Sequence, residues 1–264
     1  MFDTGSDLTW TQCVPCINCH NQNNPFYDPT QSSTFTTIEC ISNYCTQLPK
    51  FDCSSTFTCL YEIGYADHCM SKGSLIKDTL KFSNANIQNF NFGCGDNNTG
   101  YFGHVDGYLG LGRGFISIIS QTSKFFNNIF SYCLPSGPDI LDSGTPFSRL
   151  PPTTYFALRS IFRKKMSNYL MAPPLFNLDT CYDLTNIEQV VVPNISFVYE
   201  GEVTTNLDIS GILFQASDYQ WCLSIVGSRD NSELIIIGSM QQRRFNVVFD
   251  VGNSQIGFGI NGCS

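Results

Sequence analysis

Charge is scarce in this chain. Of its 264 residues only 14% are Asp, Glu, Lys or Arg, and the basic share is the smaller, 14 Lys and Arg against 22 Asp and Glu, for a net charge of −8. No basic stripe exists to neutralise phosphates, so a nucleic-acid partner is excluded. No apolar run approaches membrane-spanning length, so no membrane span is expected. Histidine occurs 3 times, at His20, His68 and His104. No leader precedes the opening Met1-Phe2-Asp3-Thr4-Gly5-Ser6, which starts inside a motif.

Aromatic residues and cysteines are plentiful. The 22 Phe and 12 Tyr suit strands better than helical bundles. Thirteen Cys suggest an oxidising compartment, and two sequons, Asn97-Asn98-Thr99 and Asn194-Ile195-Ser196, agree with a secreted glycoprotein. The expected location is extracellular or vacuolar, with the leader missing from this sequence.

The patterning predicts an all-β protein with a few short helices. Residues 60–65 and 75–82 are β-rich runs around a polar segment, a hairpin. Residues 189–203, 233–238 and 244–260 read as further strands, the last with a turn at Gly252-Asn253. Residues 151–169 form the best helix: prolines lead, Thr153 or Thr154 caps, and Leu158, Ile161, Phe162 and Lys165 follow helical spacing. A shorter helix is expected within 116–125.

A repeat organises the whole. Asp3-Thr4-Gly5-Ser6 recurs as Asp142-Ser143-Gly144-Thr145, 139 residues later. Each copy is followed by an apolar pair and a glycine, Tyr108-Leu109-Gly110 and Ile236-Ile237-Gly238, 107 and 96 residues after its aspartate. Two such copies predict two β-rich domains, 1–135 and 136–264, each supplying one carboxylate to a cleft at their junction. Two carboxylates within hydrogen-bonding distance share one proton, so one takes a proton from water while the other polarises a carbonyl. Glycine permits the tight turn, and the Ser and Thr hydroxyls hold the carboxylates in register.

The stretches "FDTGSDLTWTQCVPC", "FGCGDNNTGYFG", "GYLGLGRG", "FSYCLPS", "LDSGTPFSRLPPTTYFALRSIF", "DTCYDL" and "FDVGNSQIGFGINGCS" together resemble the pepsin-like aspartic peptidases, specifically their plant nepenthesin-like branch, over nearly the whole chain. The resemblance implies a bilobal acid-protease fold, incomplete here. It implies a monomer that hydrolyses polypeptide substrates without a cofactor. By resemblance Asp3 and Asp142 are the catalytic pair, Ser6 and Thr145 support them, and Gly5 and Gly144 meet substrate. Tyr65 falls at the flap tyrosine of the family, and Trp10 at the indole that hydrogen-bonds it.

Cys16 to His20 also matches a haem-attachment pattern, and Cys13, Cys16 and Cys19 have iron–sulfur or zinc spacing. No second ligand cluster follows, and Cys40, Cys45, Cys53 and Cys59 continue the run through a Ser-, Thr- and Asn-rich loop. A disulfide-stapled insert is therefore expected, with no metal. The resemblance implies a Cys181–Cys222 bridge and a Cys133–Cys263 tie. Cys69 matches no family cysteine and is expected as a leftover thiol, a tolerated change at an exposed hairpin tip.

Two departures bear on competence. Relatives carry strands before the first Asp-Thr-Gly, and only Gly-Pro-Asp separates "FSYCLPS" from "ILDSGT", where relatives have several strands. Losing two strands removes roughly eight inward apolar side chains at about 1.5–3 kcal/mol each, comparable with a domain's net stability of about 5–15 kcal/mol. Little or no activity is therefore expected of the chain as written, and its first aspartate is expected on a terminus free to fray. The alternative is a catalytically silent binding or inhibitor protein, as the plant xylanase inhibitors are; those tend to lose the dyad, and both aspartates stand here.

Overall fold

The computed structural model describes residues 1–82, 85–134 and 145–260. Its chain divides into two compact units, Met1–Phe130 with Asp250–Asn253, and Ser131–Phe249 with Ser254–Ser264. Among the described residues strands predominate, with five short α-helices.

The first unit is built on one eight-stranded sheet. Its strands are β1 (Phe2–Asp3), β2 (Trp10–Gln12), β3 (Thr36–Thr37), β4 (Phe51–Cys53), β5 (Cys59–Gly64), β6 (Met70–Phe82), β7 (Ala85–Thr99) and β8 (Gly107–Gly110). They run in the order β1-β8-β2-β7-β6-β5-β4, with β3 also on β6. The long β6–β7 ladder shifts register between Lys72 and Gly73, where Gly73 faces Gly95. A Cβ on Gly73 would stand 1.9 Å from the Cys94 carbonyl oxygen, so this crossing demands glycine. Trp10, Tyr61, Leu75, Phe102 and Tyr108 lie in the core beneath. Residues 116–125 hold two helices, α2 (Ile118–Gln121) and α3 (Ser123–Phe126), broken at Thr122, whose hydroxyl bonds back to the Ile118 carbonyl at 2.7 Å. Helix α1 (Asn43–Thr46) sits in the cysteine-rich insert, capped by Ser42.

The second unit is assembled from smaller sheets. A three-stranded sheet runs β19-β18-β9 (Gln255–Ile260, Phe245–Asp250, Ile129–Cys133). A two-stranded one pairs β10 (Ser148–Leu150) with β17 (Ile225–Gly227). Four strands run β11-β12-β16-β15 (Leu170–Ala172, Cys181–Asp183, Gln220–Leu223, Leu213–Gln215), and β13 (Ser196–Val198) pairs with β14 (Thr204–Asn206). The remaining helices are α4 (Pro152–Lys165) and the four-residue α5 (Ile209–Ile212).

Three expectations need correction here. Helix α4 starts earlier than the cap reading placed it. Pro151 occupies the cap position with no side-chain cap bond, and Thr153 instead donates to Asn231 Oδ1 at 3.0 Å. Its apolar face is Tyr155, Leu158 and Phe162, while Ile161 is 58% exposed. Residues 233–238 form no strand: only Ile236 bridges, to Arg149, and Leu234 is 85% exposed. Residues 189–195 are irregular too, since Pro193 has no amide to give a ladder, and the strand begins at Ser196.

Candidate active site

The Asp3 turn is pinned at both ends. Strand β1 pairs in parallel with β8, Asp3 against Gly110. The Met1 ammonium donates to the Gly107 carbonyl at 2.8 Å, and the Leu111 amide to the Asp3 carbonyl at 2.8 Å. These bonds tie the turn that carries Asp3 to β8 on both sides. Asp3 is 4% exposed, and its Oδ1 accepts the Gly5 amide at 2.8 Å. The Gly112 amide donates to the Ser6 carbonyl at 2.9 Å, closing the turn, while Ser6 Oγ is buried with no hydrogen-bond partner within bonding distance among the described residues.

Tyr65 caps the hairpin of β5 and β6. Trp10 Nε1 donates to its hydroxyl at 2.6 Å, and its ring packs on Tyr108 and Phe102. Burial raises the Tyr65 phenol well above its ordinary range, and the Asp3 charge adds to the rise; the Trp10 and Ser6 side chains act in the opposite direction. The phenol thus stays neutral and keeps an O–H to donate.

The hairpin tip departs from expectation at Cys69. It is 3% exposed and belongs to the core with Trp10 and Tyr65, not to an exposed tip. It bears a free thiol, which burial pushes up to about 11. Sequence reasoning also passed over Asp7. Its Oδ1 accepts the Gly114 amide at 2.7 Å, and a Cβ on Gly110, Gly112 or Gly114 would collide with Asp7 atoms. The glycine-rich run after Leu109 closely wraps this one residue, and three glycines alternating over five positions, 110, 112 and 114, were the available signal.

A cleft of about 500 Å³ opens beside the turn, lined by Gly5, Ser6, Leu48, Lys50, Ile63 and Phe115 among others. Glu62 at its rim is paired with Lys50 at 2.5 Å and Lys72 at 3.0 Å, and both lysines lower its pKa.

In the second unit Asp142 and Gly144 lie outside the described residues. Thr145 is described: its carbonyl accepts the Ser239 amide at 3.0 Å, as that of Ser6 accepts Gly112. Downstream, Gln241 Oε1 accepts both the amide and the hydroxyl of Ser148, at 3.0 and 2.6 Å, while its Nε2 donates to Gly211 and Ser224 carbonyls.

The structure joins Cys181 to Cys222 across β12 and β16. Cys133 is disulfide-bonded, and Cys263 lies outside the described residues. In the first unit Cys13 bonds Cys94, Cys16 bonds Cys19, Cys40 bonds Cys53, and Cys45 bonds Cys59. The sulfurs of the haem- and zinc-like pattern are thus tied to one another or to β7.

Comparison with known proteins follows this geometry. A family model described as xylanase inhibitor N-terminal matches residues 1–144, and one described as xylanase inhibitor C-terminal matches 127–259. The chain is 36% identical over 322 residues to "Aspartyl protease AED1" of Arabidopsis thaliana, covering 100% of this chain and 68% of that protein. It is 28% identical to "Aspartic proteinase nepenthesin-2" of Nepenthes gracilis, over 98% of this chain and 73% of the relative. The 322 aligned positions exceed the 264 residues here by 58, so the Arabidopsis protein has at least that many residues without a counterpart. Among solved structures, conglutin gamma, a basic 7S globulin from lupine seeds, matches with TM-score 0.71 at 17% identity, covering 98% of this chain and 86% of that one. Soybean basic 7S globulin matches with TM-score 0.72 at 16% identity, with coverages of 98% and 86%. At such identities the likeness carries the fold alone.

Proposed function

The chain belongs to the pepsin-like aspartic protease family, and from that premise we propose that it is an aspartic endopeptidase by descent, with Asp3 and Asp142 as its water-activating pair. The observation that carries the reading is Asp3 itself: a carboxylate 4% exposed, held by the Gly5 amide in an Asp-Thr-Gly-Ser turn, with the neutral Tyr65 phenol in its field. Burying a carboxylate without a salt bridge is costly, and a site that keeps one has a use for it.

The chemistry follows from the pair. One carboxylate, ionised, draws a proton from water as that water attacks the peptide carbonyl; the other, protonated, donates to the carbonyl oxygen. The proton then passes to the leaving nitrogen. Tyr65, kept neutral by burial and oriented by the Trp10 N–H, supplies a donor and a wall that shields the reacting centre from bulk water. Gly5 presents backbone without a side chain to an extended substrate. Polypeptides are the substrates, and disulfide pairing agrees with an extracellular or vacuolar site of action.

A second reading has its own support. Both matching family models are described as xylanase inhibitors, and the chain is 58 positions shorter than its alignment with the Arabidopsis protease. A silent binding protein on the same fold would keep the disulfides and core and need neither carboxylate. Acid-pH proteolysis by the wild type, compared with Asp3→Asn and Asp142→Asn, separates the two: the first reading requires dyad-dependent cleavage once the internal shortfall is restored, the second requires none.

A further inference from the structure

We infer that Asn194 is the chain's N-glycosylation site, and that its glycan shields the open face of the β13–β14 hairpin. Two sequons are present, and the fold treats them oppositely. Around Asn194 the backbone alternates strictly: Ile195 is buried and Phe197 and Tyr199 half-buried, while Asn194, Ser196 and Val198 point outward with Thr204 and Asn206 of the partner strand. An asparagine on that outward face extends its amide into solvent. Asn97 sits instead in the interior of the first unit's sheet. It pairs with Lys72 on one side and bridges to Asn18 on the other, beside a cleft lined by Ile17, Glu62 and Asp96. Its neighbour Asn98 is buried, bonded to Ser71 and Gln12. Asn97 is half-buried where Asn194 is exposed, so a branched sugar on it would lie against the walls of that cleft.

The face that Asn194 shares needs cover. β13 and β14 form a sheet of only two strands among the described residues, and a strand with no further ladder partner is a liability for pairing with another chain. Val198 is 72% exposed on it, and Val203, beside its register partner Thr204, is exposed as well. A hydrophilic glycan beside such a patch blocks edge-to-edge association, as charged residues do elsewhere. The donor is an oligosaccharide on a polyprenyl diphosphate, the lipid-linked class used in the secretory route. The Asn194 amide nitrogen bonds to C1 of the first sugar, the bond from C1 to the diphosphate oxygen breaks, and polyprenyl diphosphate leaves. The displaced amide proton goes to a base of the transferase, and nothing is oxidised or reduced.

The test uses the full chain, routed through a eukaryotic secretory pathway behind a cleavable leader. Glycans are released enzymatically in heavy-oxygen water, which marks each former site as labelled Asp, and the peptides are mapped. The inference expects the label at Asn194 and none at Asn97. Asn194→Gln removes the single glycan mobility step, Asn97→Gln leaves it, and the Asn194→Gln protein scatters several-fold more light at equal concentration. An unmodified Asn194 or a labelled Asn97 overturns the assignment, and an Asn194→Gln protein as monodisperse as wild type overturns the shielding role. Should the variant not be recovered folded, translation into microsomes reads attachment before folding is complete; no Asn194-dependent mobility step there overturns the assignment as well.

Discussion

Ser148 Oγ accepts the Gly238 amide at 2.9 Å. In the first unit Thr9 Oγ1 accepts the Gly110 amide at 3.1 Å, and Thr9 stands 139 residues before Ser148, the same offset that separates Asp3 from Asp142. Each hydroxyl lies six residues beyond its aspartate and clasps the glycine that ends the apolar pair. The repeat is thus a repeat of hydrogen bonds, one clasp per unit. Ser148→Ala strands a buried amide and part of the Gln241 carboxamide, and should cost about 1–3 kcal/mol in urea unfolding. Thr9→Val, which spares the shape and loses the acceptor, should cost about 1 kcal/mol by the same measurement.

This clasp marks what the residues alone could disclose. The matching places of Gly110 and Gly238 were legible because like clasps need a glycine at the same point of the run. The role of Asp7 was hidden, since its contacts to Gly110, Gly112 and Gly114 depend on a chain reversal more than 100 residues away. The apolar run 234–237 looked like a strand by composition, but pairing is a property of neighbours, and only Ile236 finds one. Cys69 misled for the same reason: a polar sequence context concealed a packed site against Gly100 and Tyr101.

Gly110→Ala should destabilise the first unit. The added methyl would lie 2.3 Å from the Asp7 carbonyl oxygen, backbone that cannot swing aside, and Gly110 is the register partner of Asp3. A loss of about 1–3 kcal/mol is expected, read as a lower thermal midpoint.

Asp78 should make the stability of the fold fall in acid. Burial alone would raise its carboxyl, but the hydroxyls of Ser32, Thr34 and Tyr27 and the Thr79 amide outweigh that and hold it down to about 2. A carboxylate whose folded pKa is depressed stabilises the protein above its unfolded pKa, near 4, and loses that contribution as pH falls toward 2. The contribution is about 2 kcal/mol at neutral pH. Unfolding free energy followed from about pH 5 to 2 should fall in the wild type, with a shallower slope in Asp78→Asn.

Cys69 should be silent to thiol reagents in the native protein. Reaction needs the thiolate, and burial holds its thiol near 11. Iodoacetamide should leave the native chain unlabelled near pH 8 and modify Cys69 once the unreduced chain is unfolded; rapid native labelling would show that the hairpin tip opens.

Acid-pH proteolysis addresses the central claim most directly. The chain as given, and the same chain with the 58-position shortfall filled from the Arabidopsis relative, are assayed side by side on an unfolded protein at about pH 4, where a dyad sharing one proton is competent. The account predicts little or no cleavage by the first and clear cleavage by the second, falling as pH rises and both carboxylates ionise, and abolished by Asp3→Asn or Asp142→Asn. An inert filled chain, or cleavage indifferent to either substitution, would contradict it.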